Sequence, residues 1–204
     1  MPSGADILAE QSRGASNYHY SIRTAVRGLW TGALLYMQFI DSMMSTIRAG
    51  LTRAYAEGAA ACGIVPAEYT FEEKIALEQA IVREQNYIGQ FADVIEKGSK
   101  ANGGKLKPFM ARAKMWVNRY NDVVNRAKVT ACADRKLLWH LGATEEHCRD
   151  CARYDGRIHR GSTWARYEIR PQSPKLHCHG FNCLCTLEPT DERALPGRPP
   201  GMTG

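Results

Sequence analysis

The sequence lacks the patterns that mark export, membrane insertion and several common catalytic chemistries. Met1 to Gly14 shows no basic stretch followed by an apolar run, so no secretory signal peptide is expected. The longest strongly apolar run, Leu29 to Ile40, is interrupted by Thr31, Gly32 and Gln38 and is followed by Asp41. A helix that crosses a bilayer needs about 20 apolar residues, so no membrane span is expected. The chain has no G-x-x-x-x-G-K-[ST] phosphate loop, no H-E-x-x-H or H-x-x-E-H metal motif, and no deaminase H-x-E with P-C-x-x-C. These absences argue against a packaging motor, a metalloprotease and a zinc deaminase.

What is present points to a packed protein with an uneven charge. Of 204 residues, 44% are apolar and 24% charged, a composition that can build a core. The net charge of +6 is not spread along the chain. Between Lys97 and Arg166 there are 16 basic and 6 acidic residues, while the rest of the chain has 11 basic and 15 acidic. A basic block on an otherwise acidic protein is a footprint for a polyanion or an acidic partner, or else a set of solvated helix faces.

Residues 1–134 are expected to form a helical domain. Tyr18, Ile22, Ala25, Leu29, Ala33, Tyr36, Ile40, Met43 and Ile47 recur at steps of four and three, the stripe of one long amphipathic helix. Gly50 is read as a break, after which Leu51 to Cys62 continues as a small-residue helix. Thr70 and Glu73 form a capping box, opening a helix whose buried side is expected to be Phe71, Ile75, Val82, Ile88 and Ile95, with Gly98 ending it. Residues 98–107 read as a flexible basic loop. Phe109, Ala113, Trp116, Tyr120, Val123, Ala127 and Thr130 then give a coiled-coil-like seam, and an antiparallel bundle is the simplest assembly. Arg112, Arg119 and Arg126 recur every seven residues beside this seam. They are either edge-of-core side chains snorkelling over apolar neighbours or guanidinium groups offered to phosphate. With Lys100, Lys105 and Lys107 they are the candidate contacts for double-stranded DNA.

The pattern changes near residue 135. Leu137 to His140 reads as a strand, Ala152 to His159 as a hairpin turning at Asp155-Gly156, and Asn182 to Leu187 as a short strand. Five of the seven cysteines fall here. Without an export signal, clustered thiols suggest metal before disulfides. The expected ligands are Cys148, Cys151, Cys183 and Cys185, with His177, Cys178 and His179 as substitutes. Four soft thiolates around one ion select structural zinc, and a metal-free thiol cluster or disulfides are the alternatives. Cys62 and Cys132 lie in helix-like sequence and read as free buried hydrophobes. The expected fold class is α+β: a mostly helical N-terminal bundle and a small β-rich, zinc-stabilised module at 135–190. Residues 191–204 are expected to form a flexible Pro/Gly tail.

Leu137 to Glu188 resembles the phage minor head, or head-morphogenesis, proteins of the Mu F-like group. The likeness rests on Leu138-Trp139, Thr144 before Cys148-x-x-Cys151, Asp155-Gly156, and a His-containing approach to Cys183-Leu184-Cys185-x-Leu187. Glu57-Gly58 and the Arg112-containing helix fit as well. His179 leads to Cys183 without the proline that commonly follows this histidine in the family. The resemblance implies a virion component inside the capsid, made in the host cytoplasm and associated with the portal protein. Scaffold or major capsid protein would be further partners, and its role would be to assist head assembly and DNA packaging or delivery. Two rival readings remain at this level. One is a zinc-dependent nucleic-acid-binding protein. The other is a metal-dependent nuclease drawing on His140, His147, His159, His177 and His179 as bases and Asp150 and Asp155 as magnesium ligands. Because a few-copy assembly protein needs a docking face, the Tyr18 to Ile47 stripe is the expected contact for the portal.

Overall fold

Among the described residues, five α-helices precede a three-stranded sheet, an α+β fold. The computed structural model describes residues 4–144 and 146–200, with side chains from Arg13 onward. Helix α1 spans Gly4–Thr31, α2 Tyr36–Ala60, α3 Phe71–Gln85, α4 Ile88–Lys97 and α5 Leu106–Ala131. Among the described residues, no helix is long and apolar enough to cross a membrane. The chain divides into two compact units, one of residues 1–54 and 74–120, the other of residues 55–73 and 121–204. The boundary expected at 134 therefore falls inside the second unit, to which the ends of α2 and α5 belong.

In the first unit, the single long helix expected through Tyr18 and Ile47 is two helices. Gly32 takes a φ of +80°, a left-handed conformation that ends α1 and that glycine adopts without a Cβ clash. The Leu35 N–H then donates to Gln38 Oε1 at 2.9 Å and starts α2. Of the stripe, Tyr18, Ile22, Ala25, Leu29, Met43 and Ile47 are buried core residues, Tyr36 and Ile40 are half-buried and Ala33 is exposed. Gly50 does not break α2. A Cβ there would strike the Tyr18 ring, so the glycine instead makes room for an aromatic side chain. Phe91 closes the core against Phe39 at 6.3 Å and Trp116 at 5.1 Å between ring centroids.

The helix expected from Thr70 to Gly98 is also two, α3 and α4; Ile88 and Ile95 are buried as expected, but the buried side of α3 is not the expected one. The capping box is present, with Thr70 N–H donating to Glu73 Oε2 at 2.8 Å and Glu73 N–H to Thr70 Oγ1 at 3.2 Å. Phe71, Ile75 and Val82 are exposed, whereas Leu77, Ile81, Glu84, Ile88, Phe91 and Ile95 are buried. That seam keeps the four-three spacing, but a carboxylate occupies one of its positions. Glu84 is held there by ion pairs from Arg119 Nε at 3.2 Å and Arg83 Nε at 3.4 Å. The loop after α4 is closed by its own backbone, with Gly104 N–H donating to Ser99 O and Lys100 N–H to Trp30 O. It is a folded turn and not a slack linker.

In the second unit, strand β1 (Lys136–His140) lies between β2 (Ile158–Arg160) and β3 (Thr186–Pro189), antiparallel to both. Trp139 faces Leu187 across β1 and β3. The hairpin expected at Ala152–His159 is absent. Gly156 does turn with a φ of +70°, but the segment before it is helix α6 (Arg149–Tyr154), and β2 pairs with β1 instead. Helix α7 (Gly161–Arg166) supplies Trp164, which packs with Trp139 and Tyr154 in an aromatic cluster with centroids 5.1–5.9 Å apart. The Pro/Gly tail is not free through residue 200. Leu195 N–H donates to Ile158 O, Tyr154 Oη donates to Pro200 O at 3.1 Å, and Pro199 is buried. Residues 201–204 lie outside the described residues.

Cys62 and Cys132 are not free thiols. They form a disulfide between the chain just after α2 and the chain just after α5, with Cα atoms 5.6 Å apart. The pairing joins positions 70 residues apart, a distance at which local helix-like sequence carries no pairing signal.

Candidate metal centre

Each thiol of the cluster is placed by local backbone geometry. Cys148 is the N-cap of α6, and its sulfur accepts the Cys151 N–H at 3.3 Å. The C-x-x-C spacing thus becomes one helical turn that sets both sulfurs on one side. Cys183 and Cys185 precede β3, two residues apart on an extended segment, and both are buried. Cys178 comes from the run of turns at 171–182. That run is tied to α6 where Asp150 Oδ2 accepts the His177 N–H at 2.7 Å.

Five sulfurs converge on this point in two groups. Cys148, Cys151 and Cys178 form one group, and Cys151, Cys183 and Cys185 the other, with all sulfurs of a group within 4.8 Å of one another. Cys151 is common to both. Its sulfur lies 3.7 Å from that of Cys183. A tetrahedral zinc with Zn–S bonds of about 2.3 Å requires sulfurs about 3.8 Å apart, so this edge has the spacing that an ion needs. All four expected cysteines are in the cluster, and Cys178 joins them. His177 and His179 do not. Both are exposed, and the His179 Nδ1 contact is with the Pro174 carbonyl at 2.9 Å.

The electrostatics favour a cation. Hydrogen bonds from the Cys151 and Cys183 thiols push the Cys185 thiol down to about 3, and the Gly142 N–H and Trp139 indole add to this against the cost of burial. Cys151 is pushed up, because its proton is shared with Cys183 and Cys185 and because it is buried. Burial pushes Cys178 up to about 12. Adjacent thiols cannot all be anionic without a positive ion, and a bound divalent ion replaces those protons. The donor set therefore fits a thiophilic metal ion.

A polar brace behind the cluster had no signal in the sequence. Gln172 Nε2 donates to Cys183 O at 2.8 Å and to Cys185 O at 2.9 Å. Asn125 Nδ2 donates to Gln172 Oε1 at 2.7 Å, and Asn125 Oδ1 accepts the Leu187 N–H at 2.9 Å. Lys128 Nζ donates to Leu187 O at 2.7 Å. Asp122 pairs with Arg170 at 2.8 Å, both nearly buried. On α5 these residues read as an ordinary polar face, and their partners lie 47 or more residues further on.

The candidate DNA contacts separate into two kinds. Lys100, Lys105 and Lys107 are exposed. Arg112, Arg119 and Arg126 are half-buried. The Arg112 guanidinium stacks over the Phe91 ring at 5.0 Å, Arg119 pairs with Glu84, and Arg126 acts electrostatically on Glu168. Comparison with protein-family models, curated proteins and solved structures returned no match.

Proposed function

We propose that this chain is a bacteriophage minor head protein, a structural component set beside the portal that assists head assembly and DNA packaging or delivery. One observation carries the reading. The segment that resembles the head-morphogenesis proteins, Leu137 to Glu188, is the segment that wraps the cysteine cluster with its three-stranded sheet. In this reading the ion is structural zinc. Four thiolates select it and leave no open coordination position, so its task is to staple a small module. The exposed Lys100, Lys105 and Lys107 give the protein a sequence-independent contact with packaged DNA. The test is co-expression with the portal protein of the same phage, together with mass spectrometry of purified heads. The reading expects a stable complex with portal and a few copies per head. A portal that purifies free of the chain, and heads that lack it, would contradict the reading.

A further inference from the structure

The cluster has one cysteine more than a four-coordinate ion uses. We propose that Cys148 and Cys178 are interchangeable fourth ligands of a single ion whose other three ligands are Cys151, Cys183 and Cys185. The proposal rests on the metal-centre reading above and names its ligand arrangement.

The two groups of sulfurs are unequal. Cys151, Cys183 and Cys185 are all buried, while Cys148 and Cys178 are half-exposed. The buried group is also the braced one. Gln172 grips the carbonyls of both Cys183 and Cys185, and Cys151 is built into α6. Three fixed thiolates leave one corner of a tetrahedron to fill. Two thiols of identical chemistry stand beside Cys151, each within 4.8 Å of it and of the other. Each is held there by a separate device. Cys148 is set by the N–H of Cys151, and Cys178 by the tie between Asp150 and the backbone of His177. The Cys148 sulfur also accepts hydrogen bonds from the Cys178 N–H and thiol, but each cysteine keeps its own tether, so loss of one leaves its counterpart positioned to bind.

The experiment uses the full-length chain, reconstituted with zinc under reducing conditions, in four forms: unaltered, Cys148→Ser, Cys178→Ser, and the double variant. Zinc content is measured alongside native-state alkylation with iodoacetamide, mapped by mass spectrometry. The unaltered protein is expected to hold one zinc, with one alkylation equivalent shared between Cys148 and Cys178. Each single variant should keep its zinc and show no alkylatable thiol at the cluster. The double variant should bind zinc more than about 100-fold more weakly. Loss of zinc from one single variant alone would make that cysteine obligatory and overturn the proposal. So would alkylation of the unaltered protein confined to one of the two positions. Absence of zinc from the unaltered protein would instead reject the metal centre itself, which separates the two failures. Alkylation mapping of the unaltered chain decides the question even where a variant does not fold.

Discussion

The Asn125 side-chain amide donates to the Gln172 amide oxygen at 2.7 Å, joining α5 to the residue that holds both carbonyls of the Cys183–Cys185 segment. Buried amides in such a chain satisfy one another, and removing one leaves the other without its partner. Asn125→Leu and Gln172→Leu should each destabilise the protein by about 1–3 kcal/mol. The double variant should cost clearly less than the two losses added. Urea unfolding followed by tryptophan fluorescence measures this. Additive losses would show that the two amides act independently.

The Cys62–Cys132 disulfide closes a loop over a sequence separation of 70. The chain-entropy argument gives such a cross-link about 4 kcal/mol, and native cross-links typically contribute about 2–4 kcal/mol. Cys62→Ser and Cys132→Ser should lower stability by similar amounts, and a reductant should lower the unaltered protein to their level. If reductant shifts the unfolding midpoint of the variants as much as that of the unaltered chain, the stabilisation lies elsewhere.

Gly58 lies in α2 where a Cβ would collide with the Val124 carbonyl oxygen and the Ala127 methyl of α5. Glycine in a helix interior costs roughly 1 kcal/mol against alanine, so Gly58→Ala would stabilise an isolated helix. Here it should destabilise the protein by about 1–3 kcal/mol, because the close approach of the two helices forbids the extra methyl. A rise in the thermal midpoint of Gly58→Ala would refute this packing.

Burial holds the Lys128 ammonium down to about 8, against the pull of Glu188 and Glu57. Its ordinary value lies near 10.5, so between these limits the unfolded chain binds more protons than the folded one. Stability contributed by this group is therefore lowest below pH 8, rises as pH increases through 8, and levels off above 10.5. Lys128→Met removes the effect. The difference between the unfolding free energies of Lys128→Met and the unaltered protein should shrink or change sign across that window. A difference that stays constant from about pH 7 to 10.5 would show that the hydrogen bonds to Leu187 and Thr186 hold the charge at full strength.

The lysines and arginines of the basic block should behave differently toward DNA. Replacing Lys100, Lys105 and Lys107 with Gln should reduce the slope of log affinity against log salt by about 0.9 for each phosphate no longer neutralised. Replacing Arg119 with Gln should act mainly on stability, since it removes one of the charges paired with buried Glu84. Equal effects of the two changes on the salt slope would restore the arginine stripe as a DNA-binding surface.

The features legible in the sequence are those whose partners lie close in the chain. The Thr70–Glu73 box, the strand at Leu137–His140 and the C-x-x-C turn are local patterns, and each forms where its pattern stands. The four-three stripe from Tyr18 to Ile47 carried an apparent helix across Gly32, because periodicity does not register a left-handed φ. The seam of α3 was displaced because Glu84 fills one of its positions, and a buried carboxylate is recognisable only with its arginine partners in view. Asp155-Gly156 signalled a turn and a turn exists, but the sheet partner of β2 is β1, well upstream in the chain. The disulfide and the Asn125–Gln172 brace join residues 70 and 47 positions apart, beyond any local pattern.

The central claim is a metal-stapled module, and metal analysis of full-length protein purified under reducing conditions tests it most directly. The account predicts one zinc per chain. It also predicts that Cys151→Ser loses that zinc and loosens the packing of Trp139 and Trp164 while helical circular dichroism largely persists. A folded protein with well under one metal ion per chain and all five of its C-terminal thiols reactive would contradict it.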